Sequence, residues 1–166
     1  MTVYLDASVL VPAFVADAGS AKVVEFLTST PDERLVSEFA VAEVGSSLSR
    51  LVRMSDLTAG QAHEALAEFD NWRLATATTI DVQPVDVRHA GSIVRRFELG
   101  IRAPDALHLA VCNRLGATLV TMDRRLAQAA RVSGVETEFL EASNPALAGQ
   151  AGGGLTEDGG NRKRPL

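Results

Sequence analysis

Two hydrophobic periods alternate along this chain. Short apolar runs at residues 2–5, 34–37, 79–83, 117–122 and 135–140 are bounded by polar or turn residues and are too short for helices, so they read as strands. Stretches with helical spacing separate them. Residues 7–15 form the first, with Pro12 in its early part, where proline is best tolerated. Residues 20–27 begin at a capping serine, and 38–54 place apolar side chains at 40, 41, 44, 48, 51 and 52. Thr58 opens a helix to about residue 75, with Gln61 completing a capping box. Asp86 or Val87 starts another that ends near Gly100. The best-marked helix spans 104–115, with Pro104 in its first turn and Gly116 just beyond its end. A last helix, 124–133, is closed by Gly134.

Strands separated by helices of this length predict an α/β fold: a mainly parallel central sheet with helices on both faces, in three layers. The 166 residues suit one domain, expected over 1–141. From 142 the periodicity stops in a Gly-rich stretch that leads to Arg162-Lys163-Arg164, and a disordered, solvated tail with a basic tip is expected there. No long apolar run and no basic, then apolar leader is visible, which predicts a soluble cytoplasmic protein without a membrane partner. Cys112 is the single cysteine and lies in an apolar run, so it reads as a small buried hydrophobe.

Four acids stand where an acid needs a reason. Asp6 follows Val3-Tyr4-Leu5, and Glu43 interrupts Phe39-Ala40-Val41-Ala42-Glu43-Val44. Asp105 opens the helix in Arg102-Ala103-Pro104-Asp105-Ala106-Leu107-His108, and Asp123 ends Leu119-Val120-Thr121-Met122. Taken singly, Asp6 and Asp123 read as helix caps and Asp105 as a complement to a helix dipole. Glu43 has apolar neighbours and no basic partner one turn away. In parallel α/β sheets ligands bind at the carboxyl ends of the strands, where Asp6 and Asp123 stand; Asp105, in the first turn of its helix, can face the same edge, and one turn of adjustment would aim Glu43 there. Two carboxylates about 4 Å apart repel by roughly 4 kcal/mol at an effective dielectric near 20. A divalent ion would relieve that conflict, and an all-oxygen set suits Mg²⁺ or Mn²⁺. Zinc fits poorly, because His63, His89, His108 and Cys112 form no spaced ligand set. The pattern therefore predicts a metal-dependent enzyme. A net charge of −5 does not exclude a nucleic-acid substrate, since phosphate binding follows the local field.

In these motifs, in their order and spacing, the chain resembles the PIN-domain ribonucleases and within them the VapC-type toxins. The resemblance implies a PIN-like three-layer fold and an Mg²⁺- or Mn²⁺-dependent endoribonuclease that cuts cellular RNA to arrest growth. It also implies a homodimer inhibited by a VapB-like antitoxin. Asp6, Glu43 and Asp105 match the family's acidic triad and Asp123 its fourth acid, as catalytic and metal-holding groups. Ser8 and Thr121 match hydroxyl residues that orient the site. Where some relatives carry a further acid, this chain has Arg124-Arg125, which argues against a tightly held second metal and offers cations to RNA phosphates. Arg102 is a third phosphate candidate, or a partner for one of the acids. His108 follows Asp105 by one helical turn and is either a structural histidine or a hydrogen-bond partner for a site carboxylate. Phe69, Trp72 and Phe97 read as core or dimer contacts. With no histidine pair required, attack by water predicts 5′-phosphate and 3′-hydroxyl products. A dehalogenase-type phosphatase is disfavoured, because Ser8 stands where its second aspartate belongs and Lys22 and Lys163 are the only lysines. The remaining alternative is a PIN-like module that binds RNA or protein without cutting.

Overall fold

The structure, a computed structural model, describes residues 2–29 and 33–142. The expected tail lies outside these residues, apart from Ala142. Among them the chain forms strands β1 (Thr2–Leu5), β2 (Glu33–Ser37), β3 (Thr78–Ile80), β4 (Thr118–Thr121) and β5 (Thr137–Phe139). The helices are α1 (Ala7–Phe14), α2 (Ser20–Ser29), α3 (Glu38–Arg53), α4 (Ala59–Thr76), α5 (Pro84–Ile93), α6 (Ala103–Leu115) and α7 (Arg124–Val132). All strand pairs are parallel, in the order β3-β2-β1-β4-β5. The order reverses direction at β1, so the crevice outside the carboxyl ends of β1 and β4 is the switch point at which such sheets place ligands.

Alternation along the strands sets the three layers. Val3, Leu5, Val36 and Val120 pack with residues of α1 to α4, including Val9, Phe26, Val44 and Phe69. Tyr4, Leu35 and Leu119 point the other way, into a core shared with Ile93 of α5, Leu109 and Val111 of α6 and Leu126 of α7. This is the period-2 pattern of a sheet covered on both faces. Cys112 lies in the second core, and burial pushes its thiol pKa up, as expected of an inert sulfur. Phe69 is fully buried and rings with Phe14, which also meets Trp72, whereas Phe97 is 87% exposed.

Most boundaries follow the capping chemistry. Ser37 caps α3 by accepting the Ala40 N–H at 3.0 Å. Thr58 and Gln61 form the reciprocal box at α4. Gly116 ends α6 in the left-handed region at φ 62°, where glycine meets no Cβ penalty. Two expectations are corrected. β3 occupies Thr78–Ile80, and Asp81 to Gln83 lead instead into α5. That helix starts at Pro84, whose fixed φ suits a first helical position; Asp86 sits two residues inside and accepts the Gln83 N–H at 2.8 Å. It also ends at Ile93 rather than near Gly100. A separate 3₁₀ turn, Phe97–Leu99, closes on Gly100 at φ 61°, which lets Leu99 and Ile101 pack against the core.

Candidate active site

Asp6 occupies the residue between β1 and α1 but makes no side-chain cap. Its oxygens are held by two hydroxyls instead. Ser8 Oγ donates to Asp6 Oδ1 at 2.7 Å and accepts the Met122 N–H at 2.8 Å. Thr121 Oγ1 donates to Asp6 Oδ2 at 2.9 Å and accepts the Asp123 N–H at 3.0 Å. Since each hydroxyl gives its one proton to Asp6, the 3.2 Å between Ser8 Oγ and Thr121 Oγ1 is proximity, not a bond. The cluster ties the end of β1 to the end of β4. Asp6 is 4% exposed, and this burial pushes its carboxyl pKa up. The hydroxyls of Ser8 and Thr121, which donate to it, pull it down, but desolvation wins.

Beside Asp6, Asp105 and Asp123 line one concavity of about 380 Å³ with Arg102, Arg124 and Arg125. Both acids also serve their helices. Asp123 Oδ1 accepts the N–H groups of Arg125 and Leu126 at 2.7 and 3.0 Å, capping α7. Asp105 Oδ2 accepts the Arg102 N–H at 2.9 Å, closing the first turn of α6. Each cap uses one oxygen only. Asp105 Oδ1 and Asp123 Oδ2 have no hydrogen-bond partner among the described residues, so capping and a role in the cavity coexist. The arginines differ. Arg124 pairs with Glu141 at 2.8 Å and lies over the Phe139 ring, 5.7 Å from its centroid. Arg102 and Arg125 make no ion pair among the described residues.

Glu43 does not line that concavity. It extends from α3 to α6, where its Oε2 lies 2.7 Å from His108 Nε2. The other ring nitrogen, Nδ1, lies 2.8 Å from Tyr4 Oη, and Tyr4 Oη lies 2.7 Å from Ser37 Oγ. Thus the basic partner that Glu43 lacks in its own helix comes from a residue 65 positions away. Neither Tyr4 nor Ser37 is flagged by motif. Their only signal is a phenol within the apolar run Val3-Tyr4-Leu5, since a buried tyrosine hydroxyl needs a partner.

The donor set is all oxygen, as Mg²⁺ or Mn²⁺ requires. Among the described residues, however, no three carboxylate, histidine or cysteine side chains stand close enough to hold a metal ion in their present positions. Two acids line one cavity, Asp6 is joined to the Asp123 backbone through Thr121 Oγ1, and Glu43 is held by His108.

Fold and crevice together define an α/β protein with carboxylates and arginines at the switch point of a parallel sheet. The chain belongs to the PIN domain family, whose match runs over residues 3–132. It is 30% identical over 135 residues to ribonuclease VapC45 of Mycobacterium tuberculosis, a span of 80% of this chain and 91% of that one. Its fold is similar to that of VapC20 of Mycobacterium tuberculosis, a toxin that cleaves the sarcin–ricin loop, with TM-score 0.64 and 19% identity over 76% of this chain and 94% of the other. It is also similar to VapBC2 of Rickettsia felis, solved with a DNA fragment from its promoter, with TM-score 0.62 and 19% identity over 85% of this chain and all of the other. Among the described residues no helix is long and apolar enough to cross a membrane.

Proposed function

We propose that this protein is an Mg²⁺- or Mn²⁺-dependent endoribonuclease and the toxin of a toxin–antitoxin pair, acting in the cytoplasm as a homodimer and inhibited by a VapB-like antitoxin. One observation carries the reading: Asp105 and Asp123, each with one carboxylate oxygen free of hydrogen-bond partners among the described residues, line one cavity with Arg102 and Arg125, and Thr121 Oγ1 joins the Asp123 backbone to Asp6. Carboxylates beside guanidinium groups suit a phosphodiester, with the acids serving the reaction and the arginines the phosphate. Membership of the PIN family and 30% identity to a VapC ribonuclease support the same substrate class.

Asp6, Glu43, Asp105 and Asp123 would hold the ion, and their side chains would have to converge to do so. Once bound, it would supply Lewis-acid polarisation of the phosphate and a more acidic water. Ser8 and Thr121 keep both Asp6 oxygens fixed while they do so. Arg102 and Arg125 orient the phosphate through guanidinium hydrogen bonds, and Arg124 joins them only by releasing Glu141. Asp123 or Glu43 accepts a hydrogen bond from the attacking water and aligns it. Water as nucleophile leaves 5′-phosphate and 3′-hydroxyl ends.

The deciding experiment is cleavage of a defined RNA by the purified full chain with Mg²⁺ or Mn²⁺, beside Asp6→Asn and Asp105→Asn. Losses of at least 100-fold in both variants are expected. Cleavage surviving both substitutions would overturn the assignment, and 2′,3′-cyclic phosphate ends would overturn attack by water. A wild-type chain that binds RNA but never cuts it would instead support the non-cleaving module.

A further inference from the structure

A chain of buried hydrogen bonds links three elements to Glu43. It runs from the Ala40 N–H to Ser37 Oγ (3.0 Å), then to Tyr4 Oη (2.7 Å), His108 Nδ1 (2.8 Å) and, through Nε2, Glu43 Oε2 (2.7 Å). Ser37, Tyr4 and His108 are all at most 3% exposed. Proton counting gives the chain a direction. Ser37 Oγ accepts the Ala40 N–H, and its own proton has no acceptor among the described residues other than Tyr4 Oη. The phenol proton then goes to Nδ1, which leaves the imidazole hydrogen on Nε2, facing the carboxylate. In the reverse direction Nδ1–H would donate to Tyr4 and the phenol to Ser37. The Ser37 proton would then be buried with no acceptor among the described residues, at a cost that native structures rarely accept.

We infer that Tyr4 and His108 are positioning residues for Glu43: the Ser37–Tyr4–His108 chain locks the imidazole in its Nε2–H tautomer and fixes Glu43 Oε2 as its acceptor. Glu43 Oε1 has no hydrogen-bond partner among the described residues and is left for chemistry. The catalytic half of this inference rests on the nuclease reading above; the tautomer half does not. The arrangement resembles the outer-shell support that carboxylate and imidazole groups give one another in functional sites, whose loss commonly costs about 10–100-fold in activity. It also gives β1, β2 and α6 a shared role in holding one side chain of α3. Ring contacts add to the hold, since Tyr4 and Phe39 flank the imidazole with centroids 5.6 and 5.2 Å away.

Two measurements test it on the full chain. In metal-free, RNA-free protein, imidazole ¹⁵N–¹H spectra resolve the three histidines, and His108→Gln identifies the His108 signals by their loss. A single Nε2–H tautomer is expected in the wild type, with mixed tautomers in Tyr4→Phe. A mixed tautomer in the folded wild type overturns the chain. In RNA cleavage, kcat should fall about 10-fold in Tyr4→Phe and about 100-fold in His108→Ala, with KM within about twofold. His108→Gln, whose amide N–H replaces Nε2–H, should recover part of that loss, and His108→Asn should not. Wild-type kcat in Tyr4→Phe overturns the positioning role while leaving the nuclease reading intact. A fixed tautomer in a protein that cuts no RNA overturns the nuclease reading and, with it, the catalytic half of the inference.

Discussion

Asp6 shows how a single residue can carry a cost that the fold alone does not explain. Its carboxyl is buried between β1 and β4, and two hydroxyl donors only partly replace water. Burial raises its pKa from the ordinary 3.8, so in the folded protein the charged form is disfavoured. The sign follows by linkage. Asp6 costs nothing while it is protonated, below the unfolded value, and stability is lost as pH rises through the raised folded value. In chelator, wild-type Tm should therefore fall relative to Asp6→Asn as pH climbs from below 3.8 toward neutrality. Added Mn²⁺ should narrow the gap by stabilising the wild type alone. Thermal melts of the two proteins across that range check this, and parallel pH profiles would mean that the buried charge is not a burden. Asp105 and Asp123 make a complementary point. Asp123 caps α7 as its position predicts and Asp105 closes the first turn of α6, yet each keeps one oxygen without a hydrogen-bond partner among the described residues. Structural and functional roles need not compete at these positions, because a carboxylate has oxygens enough for both.

Among the elements, α5 and α6 are joined by one ion pair besides their apolar packing. Arg114 donates to Asp86 through Nε at 2.7 Å and Nη2 at 2.9 Å, and Nη2 also reaches the Asp81 carbonyl at 3.1 Å. Burial would raise the Asp86 pKa, but the Arg114 hydrogen bonds and charge outweigh it and hold the carboxyl below its usual range. Breaking a fully buried pair costs about 3–5 kcal/mol. Here the Asp86 side chain is 1% exposed but Arg114 is 26% exposed, so water still reaches the cation and about 2–3 kcal/mol is the better figure. Asp86→Ala should lower Tm by about 4–12 °C with kcat for RNA unchanged at a permissive temperature. Calorimetry and cleavage assays of that variant test both halves. The same region shows where sequence patterns mislead. Pro104 and Gly116 punctuate α6 so clearly that its limits are legible to within a residue. For α5, Asp86 looked like a helix start because it is a good cap residue, whereas Pro84 was the true opening and Asp86 accepts the Gln83 N–H from two residues inside. Alternation through Asp81 and Gln83 likewise imitated a strand that ends at Ile80.

For the whole molecule, the order of acids along the chain predicts a candidate site at the sheet's carboxyl edge, but it cannot show the hydrogen bonds that connect those acids to the rest of the fold. Tyr4 and His108 are 104 positions apart, and only the β1–α6 packing makes them neighbours. The domain limit is a related question of where burial stops. Together the two cores draw their residues from Val3 to Leu140, and Leu140 is 3% exposed with its N–H on the Thr121 carbonyl at 2.9 Å. Everything needed to close the sheet beside the site is thus in place by Ala142. We propose that residues 1–141 are the nuclease unit, so a chain ended at Ala142 should melt within about 2 °C of the full protein and keep its kcat. A chain ended at Gly134 loses Val135 and Leu140 from the two cores together with β5. With burial worth about 1.5–3 kcal/mol per large apolar side chain, it should lose several kcal/mol. The basic tip Arg162-Lys163-Arg164 adds a second readout. Each phosphate contact contributes about one unit to the slope of log affinity against log salt, or about 0.7 on single strands. If the tip met RNA, ending the chain at Ala142 would flatten that slope by as much as about 2 units. The expected result is an unchanged slope, with the flattening appearing instead in Arg102→Ala and Arg125→Ala, whose guanidinium groups line the cavity.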